Sequence, residues 1–154
     1  MDLGDLLAKD GVIPALVATN KKHALQELAA RAAGPTALDA REIYDALLQR
    51  ERLGSTGLGR GIAIPHVKLK KLKSITTIFA RLSQPIDFES HDAEPVDLVF
   101  LLLAPEHASG DHLKALARIS RLVRDTATLE QLRSATDSTA LWRVLTVPLA
   151  SHAA

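Results

Sequence analysis

The first helical pattern along the chain lies in residues 19–35. Apolar residues there recur every three or four positions, which is the spacing of one face of a helix. Thr19 or Asn20 can cap the start, and Gly34-Pro35 predicts the end. The predicted inward face consists of Leu25, Leu28, Ala29 and Ala32.

A second helix is predicted directly afterwards, in residues 38–54. Asp39 and Glu42 stand at the spacing of a capping box, and Gly54 closes the segment. Its apolar face consists of Ile43, Tyr44, Leu47 and Leu48.

The middle of the chain changes to patterns typical of strands. Residues 62–64 are a short apolar segment, and residues 74–83 alternate and contain β-branched side chains. Residues 95–105 form a continuous apolar run between two prolines. Such a run predicts a central strand that is buried on both faces of its sheet.

Three more helices are predicted towards the C-terminus, in residues 109–125, 126–135 and 137–147. Ser109 or Asp111 can cap the first, and the other two begin near Thr126 and Asp137. The predicted inward face of the first of these helices consists of Leu113, Leu116, Ile119, Ser120 and Val123.

Strands and helices therefore intermix along the whole chain, which predicts an α/β or α+β sandwich. In this arrangement helices flank a small sheet, whose strand order the pattern does not give. The length of 154 residues suits one domain. We expect that domain to cover residues 1–150, with a loose tail at 151–154.

Composition narrows the possible functions. A net charge of +1 and an aromatic content of 3% do not favour a nucleic-acid surface. The chain has no cysteine, which excludes disulfides, thiolate catalysis and zinc–thiolate sites. No signal peptide is visible, and the longest apolar runs are far shorter than the roughly 20 residues of a membrane span. We therefore expect a cytoplasmic protein without stable membrane insertion.

The segment between the second helix and the first strand is rich in glycine, with Gly54, Gly57, Gly59 and Gly61. Its spacing and its place before a strand match neither the phosphate loop nor the dinucleotide fingerprint. Four glycines indicate a close approach of a ligand or another backbone. The alternative is a flexible connector.

His66 follows this segment at the end of a short apolar strand, behind Pro65. Proline fixes the backbone there, and a neutral imidazole is both a general base and a nucleophile towards phosphorus. A lone histidine is also commonly an ordinary surface or core residue, and this reading stays open.

Two further residues are candidates for a phosphoryl-binding site. His112 lies in the first turn of a predicted helix, where unpaired backbone amides and the helix dipole favour an anion. Arg52 ends the helix before the glycine segment and could hold a phosphate in a fork. Alternatively, His112 is tolerated near a cap and Arg52 compensates a dipole. The basic run 68–73 is either a solvated face or a surface that steers an acidic partner.

The segment "RERLGSTGLGRGIAIPHVK" resembles the active-site signature of the IIA proteins of the bacterial phosphoenolpyruvate phosphotransferase system, fructose–mannitol class. The helix "IYDALLQRERLGSTG" and the strand-to-histidine segment 95–125 match as well, so the resemblance covers roughly residues 3 to 146. The chain looks most similar to the stand-alone nitrogen-regulatory members. The family fold is a mixed sheet flanked by helices.

The resemblance implies that His66 is phosphorylated on Nε2 by the phosphohistidine of an HPr-type carrier protein. His112 would face it, and Arg52 would contact the phosphoryl group. The loop donors Ser55, Thr56 and Gly57 are further candidates for that contact, and no cofactor or metal is expected. Two residues depart from many relatives, Arg60 and Val67, and Val67 is expected to affect partner choice by limiting the approach of a partner.

Three functions remain after the resemblance is taken into account. The first is a phosphocarrier that regulates target proteins according to its phosphorylation state. The second is the IIA component of a sugar transporter, which passes the phosphoryl group to a IIB cysteine. The third is an inactive binding module, or a metal site built from His66 and His112. Oligomeric state is not predicted.

Overall fold

A computed structural model of the chain describes residues 2–146, so the predicted tail at 151–154 lies outside the described residues. The strands are β1 (Leu7–Leu16), β2 (Gly57–Gly59), β3 (Ile62–Ala63), β4 (His66–Leu69), β5 (Thr76–Ile86) and β6 (Val96–Pro105). The helices are α1 (Leu3–Leu6), α2 (Lys21–Thr36), α3 (Ala40–Leu53), α4 (Ser109–Arg124), α5 (Thr126–Ser134) and α6 (Ser138–Thr146). Within residues 2–146, no helix is both long and apolar enough to cross a bilayer.

The strands form one mixed sheet in the order β1-β5-β6-β3-β2, and β4 also pairs with β6. β6 is antiparallel to β5 and parallel to both β3 and β4. β3 and β4 keep one register along β6, from Ile62 opposite Leu98 to His66 opposite Leu102. They act as one strand interrupted at Ile64-Pro65, where the Leu102 amide donates to the Pro65 carbonyl at 2.9 Å.

Each face of the sheet is covered by its own helices and its own core. One core joins α2 and α3 to the sheet through residues such as Leu28, Leu47 and Leu101. The other joins α4, α5 and α6 to it through residues such as Phe100, Ile119 and Leu141. All three side chains of each set are buried. This confirms the predicted fold, a mixed sheet flanked by helices, and the prediction of β6 as a doubly buried central strand.

The helix predictions are confirmed in position, with one wrong boundary. Asn20 caps α2 by accepting from the His23 amide at 2.8 Å, and Asp39 caps α3. α2 does not stop at Gly34-Pro35 but continues to Thr36 and ends at Ala37, whose φ is 57°. A proline so near the end removes only one hydrogen bond, so the helix tolerates it.

The predicted inward face of α4 is confirmed at Ile119 and Val123, which are buried, but it is wrong at Leu113, and the predicted cap is wrong as well. Leu113 is 66% exposed, whereas His112 is buried together with Ala115 and Ile119. The face is displaced because His112, counted as polar in the pattern, points inward. Ala108 occupies the N-cap position and provides no side-chain acceptor.

Strand β1 was not predicted at all, and neither were β2 and β4. β1 contains Gly11 and Pro14, which are uncommon inside strands. It tolerates them because it lies at the sheet edge and breaks register between Leu7 and Val12. Only its parallel partner β5, distant in sequence, makes this segment a strand.

Candidate active site

The alternation of the broken strand β3–β4 decides where His66 points. Ile62 and Ile64 belong to the core under α4, whereas Ala63 and Leu69 belong to the core under α3. His66 continues the first set because successive strand residues point to opposite faces. The half-buried imidazole therefore lies on the α4 side of the sheet. On this side the chain passes from the end of β6 into the first turn of α4.

A backbone contact fixes the tautomer of His66. Its Nδ1 lies 2.7 Å from the Ile64 carbonyl oxygen. A carbonyl can only accept, so Nδ1 carries the proton and donates it. The lone pair of the neutral ring is consequently on Nε2. The Ile64-Pro65 interruption makes this contact possible, since it brings the carbonyl two residues back within reach of the ring.

His112 lies beside His66, with the two ring centroids 5.6 Å apart and the rings inclined by 60°. His112 is only 8% exposed, and its Nε2 is buried without a hydrogen-bond partner among the described residues. Burial, followed by the charges of His66 and Lys68, holds the pKa of His112 below its ordinary value. At neutral pH the ring is therefore uncharged, with an unused polar atom next to His66.

The helix that carries His112 adds a positive partial charge to the same place. The His112 amide donates to the Ala108 carbonyl at 2.9 Å and closes the first turn of α4. The amides that precede it have no acceptor within the helix, and the aligned peptide dipoles favour an anion there. The dipole of α4 therefore favours negative charge at this end, beside His66.

The third candidate, Arg52, lies at the C-terminal end of α3. It is exposed in the last turn of α3 and forms no hydrogen bond or ion pair with any residue that the structure describes. Its neighbour Arg50 instead donates to the Gly54 carbonyl at 3.0 Å and compensates the helix end. The structure thus brings His66 and His112 together and leaves the Arg52 guanidinium unengaged.

The glycines of the loop allow other segments of the same chain to pack closely against the loop. A Cβ added to Gly57 would lie 2.2 Å from the Ser90 hydroxyl oxygen. Gly61, with φ of 82°, would place one 2.5 Å from an Arg133 nitrogen. Of the four loop glycines, only Gly54 has open space around the added Cβ. The expectation that the loop clears space for a partner's backbone is not supported at Gly57 and Gly61, because segment 87–95 and Arg133 occupy the space.

The proposed phosphoryl donors of this loop are already engaged. The Ser55 hydroxyl donates to the Phe88 carbonyl at 2.6 Å and accepts from the Gly57 amide at 3.0 Å. The Thr56 hydroxyl and amide both donate to the Glu51 carboxylate. The hydroxyls of Ser55 and Thr56 and the amides of Thr56 and Gly57 therefore have acceptors inside the chain and are not free to bind a phosphoryl group in this structure.

Sequence reasoning missed the buried carboxylate that organises this loop. Glu51 is 7% exposed and receives both Thr56 donors together with Lys21 Nζ at 2.9 Å. It ties the end of α3 to the start of α2 and to the loop. Helical spacing could have indicated its burial, since Glu51 continues the inward face of Ile43 and Leu47 at intervals of four residues.

Lys68 was also missed as a neighbour of the site, although strand alternation could have found it. It lies two residues after His66 on β4 and so shares its face. Its charge contributes to the lowered pKa of His112, which shows that its influence reaches the second histidine.

The two departures from the family pattern have structural roles. Val67 packs against the core on the α3 side, on the face opposite His66. This position does not support the expectation that Val67 limits a partner's approach. Arg60, with φ of 59°, donates through its guanidinium to the Thr126 hydroxyl at 3.1 Å and to two carbonyls at the end of α4. These bonds hold the turn between β2 and β3 against the C-terminal end of α4, whereas His112 lies at the N-terminal end of the same helix.

The two histidines have no further metal-ligating side chains grouped with them among the described residues. Within residues 2–146, no group of three histidine, cysteine, aspartate or glutamate side chains could hold a metal ion. His66 and His112 alone would leave half of a tetrahedral zinc coordination sphere to solvent.

Comparison with known proteins identifies the family. Residues 5–147 match the family described as phosphoenolpyruvate-dependent sugar phosphotransferase system, EIIA 2. A nitrogen regulatory protein of Bradyrhizobium diazoefficiens is 56% identical over 153 residues, which cover 99% of this chain and 100% of that protein. The fructose-specific EIIABC component of Bacillus subtilis is 34% identical over 92% of this chain and 22% of its own length.

Solved structures agree with this assignment. The nitrogen regulatory protein IIA-Ntr of Neisseria meningitidis matches with a TM-score of 0.89 and 31% identity, covering 94% of this chain and 99% of that one. The mannitol IIA enzyme of Escherichia coli, in its complex with phosphorylated IIB, shares the fold with a TM-score of 0.77 at 19% identity, over 91% of this chain and 98% of that one. The chain belongs to the EIIA 2 family of the phosphoenolpyruvate-dependent phosphotransferase system.

Proposed function

We propose that the protein is a phosphocarrier whose His66 accepts a phosphoryl group on Nε2 from the phosphohistidine of an HPr-type carrier. The observation that carries the proposal is the 2.7 Å contact of His66 Nδ1 with the Ile64 carbonyl. It keeps the proton on Nδ1 and leaves a nucleophilic lone pair on Nε2 without the help of a separate base.

The proposed phosphoryl transfer needs no cofactor or further reactant. The Nε2 lone pair of His66 attacks phosphorus, the phosphorus–nitrogen bond of the donor breaks, and the donor imidazole keeps the bonding electron pair. Each histidine keeps its other ring proton. The bond formed resembles the bond broken, so the step is near thermoneutral and catalysis is mainly positioning and electrostatics.

His112 and the first turn of α4 are suited to receive the charge of the phosphoryl oxygens. A neutral His112 with its proton on Nε2 would offer a donor that has no other partner among the described residues. Leaving such a group unsatisfied costs roughly 1–3 kcal/mol, which a bond to a phosphoryl oxygen would recover. Arg52, exposed and unengaged, would add a guanidinium from the end of α3.

A regulatory role is supported by the full-length match to a nitrogen regulatory protein. A phosphoryl group on His66 would place a dianionic group on a half-buried surface and change how a target protein docks there. Targets would then distinguish the two forms of the protein.

A second function, donation to a IIB cysteine of a sugar transporter, is favoured by the similarity to the fructose-specific EIIABC component. Rapid transfer from phosphorylated protein to a purified IIB domain from the same genome would support it. Pull-downs that recover different proteins with the phosphorylated form and with His66→Ala would support regulation instead.

The phosphorylation itself is tested with phosphoenolpyruvate, enzyme I and the HPr-type carrier. We expect intact-mass analysis to show one acid-labile phosphoryl group on the wild type and none on His66→Ala. His107→Ala removes another exposed histidine near α4 and should be labelled like the wild type. Labelling of folded His66→Ala at the wild-type level would overturn the assignment.

A further inference from the structure

The basic run that follows His66 is held in a defined conformation. Leu69 and Leu72 are buried, at 8% and 4% exposure, and the Leu72 amide donates to the Leu69 carbonyl. Beyond the exposed Lys68 on β4, these anchors leave three more exposed lysines, which we call the lysine ridge: Lys70, Lys71 and Lys73. The ridge is therefore a fixed surface directly after β4 and not a loose charged segment.

Most of the ridge's charge is uncompensated. Lys71 Nζ lies 3.4 Å from a Glu42 carboxylate oxygen. Lys70 and Lys73 form no hydrogen bond or ion pair with any described residue. The segment that leads into α4 carries exposed Glu106 and Asp111 together with exposed Lys114. The positive charge near His66 is therefore concentrated at the end of β4.

Distance decides whether a docked protein covers the ridge. At about 3.3 Å per residue, Lys70 lies about 13 Å from His66 along the strand direction. A partner in a standard complex buries about 800 Å² on each side, equivalent to a disc about 16 Å in radius. A protein centred on His66 therefore reaches the ridge, and an unmatched positive surface there would oppose its docking.

We propose that the lysine ridge docks an acidic patch on the HPr-type carrier and orients it over His66, an inference that rests on the proposed function. The ridge lies on one side of His66, at the end of β4, so it favours the orientation that brings a partner's acidic residues over it. The protein's net charge of +1 and its aromatic content of 3% do not suit a nucleic acid, so the partner is a protein.

The test compares the charge-reversed ridge, Lys70→Glu/Lys73→Glu, with a control of equal charge change, Lys22→Glu/Arg31→Glu. Both control residues are exposed on α2, which packs against β1, α3 and β5. The second-order rate constant for phosphoryl transfer from the phosphorylated carrier is measured by rapid quench between low and high salt. Binding of the unphosphorylated carrier is measured separately by surface plasmon resonance.

We expect the ridge variant to lose about tenfold or more in transfer and association rates at low salt, with the difference shrinking as salt screens the charges. The control should change by less than about twofold. Equal losses in both variants, or an unchanged or faster ridge variant, would overturn the proposal. Ridge-dependent binding without transfer would contradict only the proposed function, and a carrier that neither binds nor transfers would contradict both.

Discussion

His66 and His112 lie side by side, yet their surroundings give the two imidazoles different chemistry. The Ile64 carbonyl holds the Nδ1 proton of His66 and makes Nε2 the nucleophilic atom. His112 is buried, its pKa lies below the ordinary value, and its Nε2 lacks a partner among the described residues. In the proposed function, one ring would accept phosphorus and the other would donate a hydrogen bond to its oxygens.

Replacing His112 tests this division of roles. We expect His112→Ala to fold but to transfer the phosphoryl group to and from His66 about a hundredfold more slowly, since one positioned donor is typically worth about 3 kcal/mol in a transition state. His112→Gln retains an N–H donor and should lose less. Rapid-quench exchange with the carrier gives the rates, with circular dichroism as the folding control.

The protonation of His112 gives an independent measurement. Because its pKa is lowered, the folded protein binds this proton less tightly than the unfolded chain, and the associated stability is lost as the pH falls below about 6.5. NMR titration should place its midpoint below 6.5, and phosphorylation of His66 should raise it.

A folded His112→Ala protein that exchanges the phosphoryl group at the wild-type rate would remove His112 from the site.

Arg52 offers a comparison with a neighbouring arginine. We expect Arg52→Ala to slow transfer by about ten- to a hundredfold, since hydrogen bonds to charged groups contribute about 1.5–3 kcal/mol. Arg50→Ala removes only the bond to the Gly54 carbonyl and should leave the rate within about threefold of wild type. The same carrier assay measures both. Equal losses would show that the arginines act through the helix end and not through the phosphoryl group.

At the scale of elements, the site depends on a strand break and a loop held by its own neighbours. The interruption at Ile64-Pro65 lets the His66 ring reach a carbonyl while β3 and β4 keep their register on β6. The glycine loop is seated between the Glu51 carboxylate and segment 87–95. Its glycines allow the loop to pack closely beside the strand that positions His66.

Gly57→Ala distinguishes internal packing from space left for a partner. Its new Cβ would lie 2.2 Å from the Ser90 hydroxyl oxygen and 3.2 Å from the Ser90 Cα, so segment 87–95 must move. We expect a loss of about 1–3 kcal/mol in the free energy of unfolding, measured with urea. Ser90→Gly should restore part of it.

The matched control is Gly34→Ala, because Gly34 lies in α2 with open space around its missing side chain. This substitution should leave stability unchanged or raise it by up to about 1 kcal/mol. If Gly57→Ala kept full stability and only slowed phosphoryl transfer, the loop's space would instead serve a docking protein.

At the scale of the whole molecule, arginines fasten the helices to the sheet at points far from the site. Arg60 reaches the end of α4, and Arg133 binds Asp97 at 2.9 Å and the Arg60 carbonyl at 2.7 Å. Arg81 donates to carbonyls at the end of α5 and to Pro14 of β1. These contacts hold α4 at one end, while its other end presents His112 to His66.

Most of the elements could be predicted from the sequence because their signals are local. The continuous apolar run of β6, the caps Asn20 and Asp39 and the alternation of β5 are each encoded within a few residues. The family motif likewise identified His66 and His112 from short segments. The weak elements β1, β2 and β4 escaped prediction because pairing with distant strands, and not their own residue preferences, stabilises them.

By itself, the sequence determined the mixed α/β class, the central strand and the two histidines, since hydrophobic periodicity and short motifs are properties of neighbouring residues. Tertiary structure alone decided which atoms of the site remain available. In the fold, Ser55 donates to the Phe88 carbonyl and Thr56 donates to the Glu51 carboxylate. Ser90 occupies the space beside Gly57, and His112 Nε2 has no partner among the described residues. Hydrogen-bond partners and steric space depend on residues far away in the chain, which only the folded arrangement brings together.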